Sequence, residues 1–443
     1  MVEILDNIWA DRTRWNTLLT AAVEANSDIF VQYILSKLPD EELSFRFEPT
    51  ELDMTAAQAL KKLLAKLKLK SLDVPVMGDR AEEDAIVYLL QALQSTNIAA
   101  LTIRTANGEW FGDGLYEAEQ KAAALESFVS NTQCLGSLTF ENLRPEHPVS
   151  TKYFDAIING MKCNKHKCIK HLSFDGLALV SFEELDDLFL TGASKIHLES
   201  CELSDLHRRR DSRRPENTFQ DLWDLCHVEE LTIEDAQFGG TGWCFSRFMT
   251  KIGNLPFLTE LRLFNVDLVE SGNTREVTEA VVTLLEQGLL RRLEFHFPID
   301  IPVLCRHLQD NTSLVDLCLG FIFQNECRRC CELLDDVLRD HNVTLESLAL
   351  THDNVEYKTP GQKASYFMSL NRLGRRKMRC EEVLPVSFLD IILAALSEED
   401  SNMVVPFVYG LLRESPSKWT SFAQTRKHEG GTRKRKLKSL QAE

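Results

Sequence analysis

One apolar pattern recurs ten times in this chain and constrains its fold more than any other feature. The pattern is L-x-x-L-x-L, with other apolar residues allowed, and it recurs at a mean spacing of about 31 residues. Its central positions are Leu72, Leu101, Leu138, Leu172, Ile196, Leu231, Leu261, Leu293, Leu317 and Leu348. Alternation across each L-x-L predicts a short strand that turns two side chains inward. Segments between the copies carry helical spacing, as at Val277, Val281 and Leu284. One strand and one helix cannot bury an apolar face alone, so the copies must stack.

A polar phrase precedes several of these strands. The segments LQSTNIAAL, VSNTQCLGSL, LQDNTSLVDL and LRDHNVTLESL each place Asn with Ser or Thr just before the strand. Small polar side chains suit a turn that must reverse the chain. We therefore predict a helix-to-strand turn at each of these phrases.

These repeats resemble the leucine-rich repeat superfamily, specifically the long-repeat class typified by ribonuclease inhibitor. The resemblance covers about Leu67 to Val355. It implies an α/β leucine-rich repeat solenoid, or horseshoe, with an inner parallel β-sheet, outer helices and helical caps at both ends. The family usually has Asn or Cys three residues after the last strand anchor. Cys201 fits, and the residues that depart are Leu143, Leu177, Ala236, Val266, Pro298 and Ile322. Apolar side chains cannot satisfy turn backbone groups, so we expect irregular turns and uneven curvature.

Four segments follow from this pattern: an N-terminal helical cap (1–60), an array of about ten irregular repeats (61–357), a C-terminal helical module (358–422) and a disordered basic tail (423–443). In the third, SLNRLGR with a later LLRESP resembles a C-terminal module of uncharacterised diatom leucine-rich repeat proteins, which implies no activity. Its helices either cap the last repeat through Tyr366, Phe367 and Leu370 or bind a partner.

Charge and composition exclude several function classes. The net charge of -17 disfavours nucleic-acid binding by the body of the chain. No apolar run reaches the roughly 18 residues of a membrane span, and no secretory signal is evident, so we expect no membrane partner and a cytoplasmic or nuclear protein. Twelve scattered cysteines fit reduced thiols in such a compartment. The basic tail predicts nuclear import, or else only solubility, through Arg433, Lys434, Arg435 and Lys436.

The residue just after the second strand anchor falls on the concave face of such a solenoid, where partners often bind. Four successive repeats place a carboxylate there: Glu141, Asp175, Glu199 and Glu234. Glu230 and Glu260 would widen this stripe, and Phe264 follows it in the next repeat. Neighbouring strands bring such carboxylates within about 5 Å, so they repel unless a basic partner offsets them. We predict a protein partner with a basic surface; a solvated acidic face is the alternative.

Other reactive side chains give weaker signals. The zinc-like set Cys163, His166, Cys168 and His171 has poor spacing, and the helix ECRRCCELLDDVL favours core packing of Cys327, Cys330 and Cys331 over redox chemistry. No phosphate-binding glycine loop or nucleophile motif occurs. We therefore predict a non-enzymatic interaction scaffold without catalytic residues, metal, cofactor or small-molecule substrate. The alternative is a GTPase-activating or other enzyme-regulatory repeat protein that uses the arginine-rich insertion at Arg208, Arg209, Arg210, Arg213 and Arg214.

Overall fold

A computed structural model gives the fold of this protein. It describes residues 18, 20–21, 29, 43–46, 54–64, 69–76, 83–94, 96–105, 115–142, 151–177, 179–204, 226–239, 243–267, 274–320, 324–352, 355–357 and 362–372. The chain divides into two compact units between Thr283 and Leu284.

Strands and helices alternate along the first unit. Its elements are β1 (Leu43–Arg46), α1 (Met54–Leu64), β2 (Leu69–Val76), α2 (Glu83–Leu93), β3 (Ala100–Thr105), α3 (Leu115–Asn131), β4 (Ser137–Asn142), α4 (Thr151–Cys163), β5 (His171–Asp175), β6 (Leu179–Ser181), α5 (Phe182–Phe189), β7 (Lys195–Glu199), β8 (Glu202–Ser204), β9 (Glu230–Glu234), β10 (Gln237–Gly239), α6 (Trp243–Gly253) and β11 (Glu260–Phe264). Helix α7 (Thr274–Glu286) spans the division between the units.

Parallel pairing orders the strands of this unit in one sheet, β1-β2-β3-β4-β5-β7-β9-β11. The short strands β6, β8 and β10 form a second parallel sheet, and each of them follows a strand of the first sheet by a few residues. Parallel strands need crossover connections, and the intervening helices supply most of them. The unit is an α/β fold with a repeat-like, solenoid-compatible architecture.

The second unit continues the same alternation. Its elements are β12 (Arg292–Phe295), α8 (Ile301–Asp310), β13 (Asp316–Gly320), α9 (Gln324–Asp340), β14 (Ser347–His352), β15 (Val355–Tyr357) and α10 (Gln362–Arg372). Strands β12, β13 and β14 pair in parallel, and β15 returns antiparallel to β14. No helix in the described part of the chain is long and apolar enough to span a membrane.

The ten predicted strands are confirmed, and their anchors form the core. The central and last anchors of all ten copies are buried, from Leu72 and Val74 to Leu348 and Leu350. They pack with apolar side chains of the helices; the Phe154 ring, for example, meets the Phe174 ring edge-on at 5.2 Å between centroids. Because side chains alternate along a strand, the residues between the anchors lie on the opposite face of the sheet.

The sheet begins earlier than the sequence predicted. The segment 1–60, which the pattern assigned to helices, contains strand β1, which pairs in parallel with β2. Phe45 is buried between the exposed residues Ser44 and Arg46, so this short segment has strand alternation. A run of four residues is too short for that period to stand out against the surrounding helical spacing.

The turns after β5, β7, β9 and β11 share one geometry, so the expected irregularity is wrong for these four repeats. The first turn residue has positive φ in each: Gly176 (73°), Ser200 (50°), Asp235 (49°) and Asn265 (45°). The second residue after each strand is buried, namely Leu177, Cys201, Ala236 and Val266. Backbone amides of Gly176, Ser200 and Asp235 donate to carbonyls of the next strand at 2.9, 2.9 and 3.1 Å. These backbone bonds replace an asparagine side chain, and the buried position needs only a small or apolar group.

Buried asparagines occupy two of the four predicted helix-to-strand turns, at Asn311 and Asn342, whereas Asn97 and Asn131 in the other two are exposed. Asn342 Nδ2 donates to the carbonyls of Leu308 (2.8 Å) and Asn311 (3.1 Å), while its Oδ1 accepts from the amides of Thr344 (3.0 Å) and Leu345 (2.8 Å). One side chain therefore fixes its own turn and satisfies carbonyls of the preceding repeat. Asn164 does the same in the first unit through the carbonyls of Val129 and Thr132.

The same device reaches the C-terminal helix α10. Asn371 Nδ2 donates to the carbonyls of Leu345 (2.7 Å) and Asn342 (3.4 Å). We term Asn311, Asn342 and Asn371 the asparagine ladder. Leu370 is buried and α10 packs against α9, as a cap on the last repeat would. The Tyr366 side chain and residues 373–443 lie outside the described residues.

Candidate functional site

Three rows of side chains cross the sheet face of the first unit that carries no buried anchors. The row at the strand starts contains Ser137, His171, Lys195, Glu230 and Glu260, and the middle row contains Thr139, Ser173, His197, Thr232 and Arg262. The row at the strand ends contains Glu141, Asp175, Glu199, Glu234 and Phe264. The sequence-predicted partner residues therefore lie on one face and in two rows.

We term Glu141, Asp175, Glu199 and Glu234 the acidic row. Asp175 is the register partner of Glu199, and Glu199 is the register partner of Glu234. Glu141 follows Phe140, the register partner of Phe174, so it lies beside Asp175. All four side chains are partly exposed. The repeat spacing thus places four carboxyl groups on adjacent strands about 5 Å apart.

Charge accumulates at the middle of the acidic row. Burial, followed by the carboxylates of Asp175, Glu234, Asp235 and Glu141, raises the pKa of Glu199 to about 7. A carboxyl group with that pKa is roughly half protonated at neutral pH, because ionising it would charge a partly buried group and add a further like charge. Burial and the negative charge of the neighbouring carboxylates therefore both oppose the ionisation of Glu199.

His197, which the sequence analysis did not single out, lies between the strand anchors next to this charge. Its Nε2 lies 3.5 Å from Oε2 of Glu234, and its Nδ1 lies 3.3 Å from Oγ of Ser173. The side chain is 28% exposed. His197, Glu199 and Glu234 bring their ligand-type atoms within 4.8 Å of one another. A search of the middle row for imidazoles next to acidic positions would have found it.

Glu230 and Glu260, in the row at the strand starts, each have a cation of this chain beside them. Lys195 Nζ lies 2.5 Å from Oε1 of Glu230. Arg262 Nη2 lies 3.2 Å from Oε2 of Glu260. These two carboxylates are thus offset by partners within the same row or one row away, and their part in binding a partner stays a prediction.

Phe264 ends the acidic row on β11. It is the register partner of Glu234 and is partly exposed. Its ring places an apolar surface at the strand-end edge of the charged face. The carboxyl groups of the acidic row and one aromatic ring therefore lie on a single sheet.

The four residues of the zinc-like spacing have separate surroundings. Cys163 and His166 are exposed, the Cys168 thiol contacts the Thr132 carbonyl oxygen at 3.4 Å, and His171 Nδ1 lies 3.2 Å from Oγ of Ser137. Within the described residues, neither cluster of three close ligand-type side chains includes any of them.

Other sequence candidates fall partly or wholly outside the described residues. The helix predicted at ECRRCCELLDDVL is confirmed as part of α9, with Leu334 buried, although the side chains of Cys327 and Cys330 are not described. The arginine-rich insertion, residues 208–214, and the basic tail, which carries the nuclear-import candidates, also lie outside them.

Comparison with known proteins identifies no family for this chain. No protein-family model matches it, and no curated protein matches it. Its candidate site therefore rests on the geometry of the sheet face and on the charges that the repeat brings together there.

Proposed function

We propose that this protein is a non-enzymatic interaction scaffold that binds a basic protein surface on the acidic row. The alignment of four carboxyl groups on adjacent strands carries this proposal. The pKa of Glu199, raised to about 7 by burial and then by the neighbouring carboxylates, supports it, because positive charge placed there would favour the ionised form. A lysine or arginine side chain of a partner would supply that charge. The protein acts by holding the partner and needs no reacting group on this face.

The repeat architecture supports a leucine-rich repeat solenoid of the long-repeat, ribonuclease-inhibitor-like class. Strand anchors recur in ten copies, helices separate most successive strands, and the asparagine ladder links repeats at regular intervals. Each repeat buries its apolar side against its neighbours and leaves the other sheet face open. Such a face is wide enough to receive an extended partner surface.

Binding would begin with electrostatic steering and end with local contacts. The negative field of the acidic row raises the encounter rate of a basic surface, and the effect weakens with salt. A bound cation favours the ionised form of Glu199 and so lowers its pKa. Binding near pH 6.5 therefore releases a proton, and affinity rises with pH between about 5 and 7. Phe264 then adds apolar contact at the edge.

The test is quantitative affinity purification from native extract with three forms of the full chain. The first is wild type. The second removes the charge of the acidic row while preserving its shape: Glu141→Gln, Asp175→Asn, Glu199→Gln and Glu234→Gln. The third makes the same change in net charge on helix residues away from the sheet: Glu119→Gln, Glu276→Gln, Glu279→Gln and Glu286→Gln. Circular dichroism confirms that each form is folded.

We expect a discrete set of basic partners to be lost with the second form and retained by the third. Binding of these partners to wild type and to the third form should weaken with salt and strengthen from pH 5 to pH 7. A partner list that is the same for the second form and wild type would contradict the proposal. Such a result would favour the alternative function, an enzyme-regulatory protein that acts through the arginine-rich insertion.

A further inference from the structure

Strands β12 and β13 in the second unit bring three side chains of different ligand chemistry together. Glu294 and Cys318 are register partners on the face opposite the buried anchors Leu293 and Leu317. His296 lies two residues after Glu294 on the same face. The carboxylate, imidazole and thiol ligand atoms lie within 4.8 Å of one another. His296 Nε2 is 3.7 Å from Oε1 of Glu294.

Gly320 makes room for the imidazole. It lies opposite His296 in the β12–β13 register, and a Cβ added to it would fall 2.7 Å from Cγ and 2.8 Å from Cα of His296. No side chain fits at that distance, so the ring of His296 occupies the space over the glycine. A glycine inside a strand often marks such a close approach. The backbone of β13 thereby restricts where the imidazole can lie.

We propose that Glu294, His296 and Cys318 form a binding site for a divalent transition-metal ion of the zinc class. Zinc takes thiolate, imidazole and carboxylate ligands, and three protein ligands leave its fourth position open to water or another group. Tetrahedral bonding places such ligand atoms about 3.3–3.6 Å apart. The 3.7 Å separation between His296 and Glu294 is close to that spacing. The Cys318 thiol lies within 4.8 Å of a ligand atom of each of the other two residues.

The surroundings of the site favour a bound cation. Glu294 is 14% exposed and His296 is 11% exposed, so water competes weakly for them. Burial acts to raise the pKa of Glu294, but hydrogen bonds with His296 and Cys318 and the charge of Arg292 outweigh it and lower the pKa. When the metal binds, the Cys318 S–H bond breaks and its proton passes to solvent, so that one thiolate and one carboxylate balance the divalent charge.

Arg292 is the group that opposes a cation here. Its Nη2 lies 3.8 Å from Oε2 of Glu294. The guanidinium is 41% exposed, and Arg292 is the register partner of Asp316 on β13. It can therefore turn from Glu294 to Asp316 when a metal takes its place, which keeps both charges compensated.

Ligand softness sets the expected selectivity. A thiolate and an imidazole favour zinc, cobalt or copper over magnesium and calcium, which prefer oxygen ligands. The cluster of His197, Glu199 and Glu234 lacks a thiol and is more exposed, at 28% for His197 and 37% for Glu234. The site on β12 and β13 is thus the stronger transition-metal candidate. It is also independent of the proposed function of the acidic row.

The test uses the untagged full chain, reduced and treated with a chelator that is then removed. Co²⁺ is titrated while the near-ultraviolet thiolate-to-cobalt charge-transfer absorption is followed, and Zn²⁺ affinity is measured by competition with a chromogenic chelator. We expect one equivalent of metal and a rise in melting temperature on adding Zn²⁺. Cys318→Ser should remove the thiolate absorption and raise the zinc Kd at least about 100-fold. His296→Gln and Glu294→Gln should each raise it at least about 10-fold.

Two control variants remove similar groups elsewhere. Cys134→Ser removes an exposed thiol, and His307→Gln removes an imidazole whose Nδ1 lies 3.1 Å from Oε1 of Glu286. Both should retain the wild-type spectrum and affinity. Gly320→Ala keeps all three ligand residues but displaces the side chain of His296, so it should weaken zinc binding.

Retention of the cobalt–thiolate absorption and zinc affinity in Cys318→Ser would overturn the proposal, because the metal would then be bound by other thiols. If Cys318→Ser does not fold, His296→Gln decides the question by the same zinc measurement. Zinc binding no weaker than wild type in His296→Gln would also overturn it.

Discussion

Two partly buried glutamates, one on the anchor-free sheet face of each unit, have pKa values shifted in opposite directions. Glu199 in the first unit has a pKa raised to about 7, whereas the pKa of Glu294 in the second unit is lowered. Burial acts to raise both. Glu199 has carboxylates around it, while Glu294 has His296, Cys318 and Arg292. The polar and charged neighbours therefore decide the direction of the pKa shift of a carboxyl group here, and burial alone does not.

The strand position between the two anchors holds an imidazole in one unit and a carboxylate in the other. His197 stands between its strand anchors and Glu199 follows them, whereas Glu294 stands between its anchors and His296 follows them. The order of imidazole and carboxylate is reversed, but the backbone is the same. What differs is the next strand, which supplies Glu234 to the first pair and Cys318 to the second. The first arrangement accumulates charge and the second compensates it.

The largest expected effect comes from removing the imidazole that offsets the Glu294 carboxylate in the second unit. His296→Leu leaves Glu294, only 14% exposed, without its imidazole partner, so we expect a loss of about 2 kcal/mol in the free energy of unfolding at pH 7. His197→Leu, the matched change in the first unit, should cost less than about 1 kcal/mol, because Glu234 is 37% exposed. Urea denaturation of metal-free protein measures both. Equal losses would remove the distinction between the two regions.

Glu294→Gln should also destabilise the metal-free protein, by about 1 kcal/mol at pH 7 after solvent screening. The folded-state pKa of Glu294 is lowered, so its ionised form contributes stability above the unfolded-state value of 4.5, and this contribution is lost as pH falls through the folded pKa. The difference between variant and wild type should therefore shrink below about pH 4. Melting temperatures between pH 3.5 and pH 8 test this, and a constant difference would contradict it.

Glu199→Gln should have the opposite sign. The folded-state pKa of about 7 exceeds the unfolded-state value of 4.5, so the stability linked to proton binding is fully present below pH 4.5 and is lost as pH rises through 7. Because the side chain is partly exposed, we expect the variant to gain only about 1 kcal/mol over wild type at pH 8, and almost nothing at pH 4. The same pH series measures it. Destabilisation at pH 8 would show that the carboxylates are offset by other groups.

The smallest effect concerns the row at the strand starts. Arg262→Met removes the cation 3.2 Å from Glu260, and both side chains are about one-third exposed. We expect a loss of about 0.5 kcal/mol that disappears in high salt, as is typical of surface ion pairs. Urea denaturation at low and high salt tests it. A loss that persists in salt would indicate packing by the arginine stem in place of charge pairing.

Local patterns predicted the strands and the acidic row, but they did not predict the chemistry between strands. Each anchor triplet lies within six residues, so its period is visible in the sequence, and register then aligns Asp175, Glu199 and Glu234. The second cluster joins Glu294 and His296 to Cys318, which lies more than twenty positions further along the chain, and no spacing motif marks it. The uniform turns were missed because their hydrogen bonds come from backbone groups, which every sequence shares.

The asparagine ladder divides the repeats that it joins into a part whose length is fixed and a part that can accept insertions. A residue added between Asn342 and Thr344 would separate the Asn342 side chain from the backbone amides of Thr344 and Leu345, whose hydrogen bonds it accepts. One added between Gly320 and Gln324, after the strand, would meet none of those bonds. Spacing between central anchors varies from 24 residues, Leu172 to Ile196, to 37, Leu101 to Leu138. Helices and strand-to-helix connections must therefore differ in length from repeat to repeat. An evolving or engineered chain can acquire new loops in those connections while its repeats stay joined.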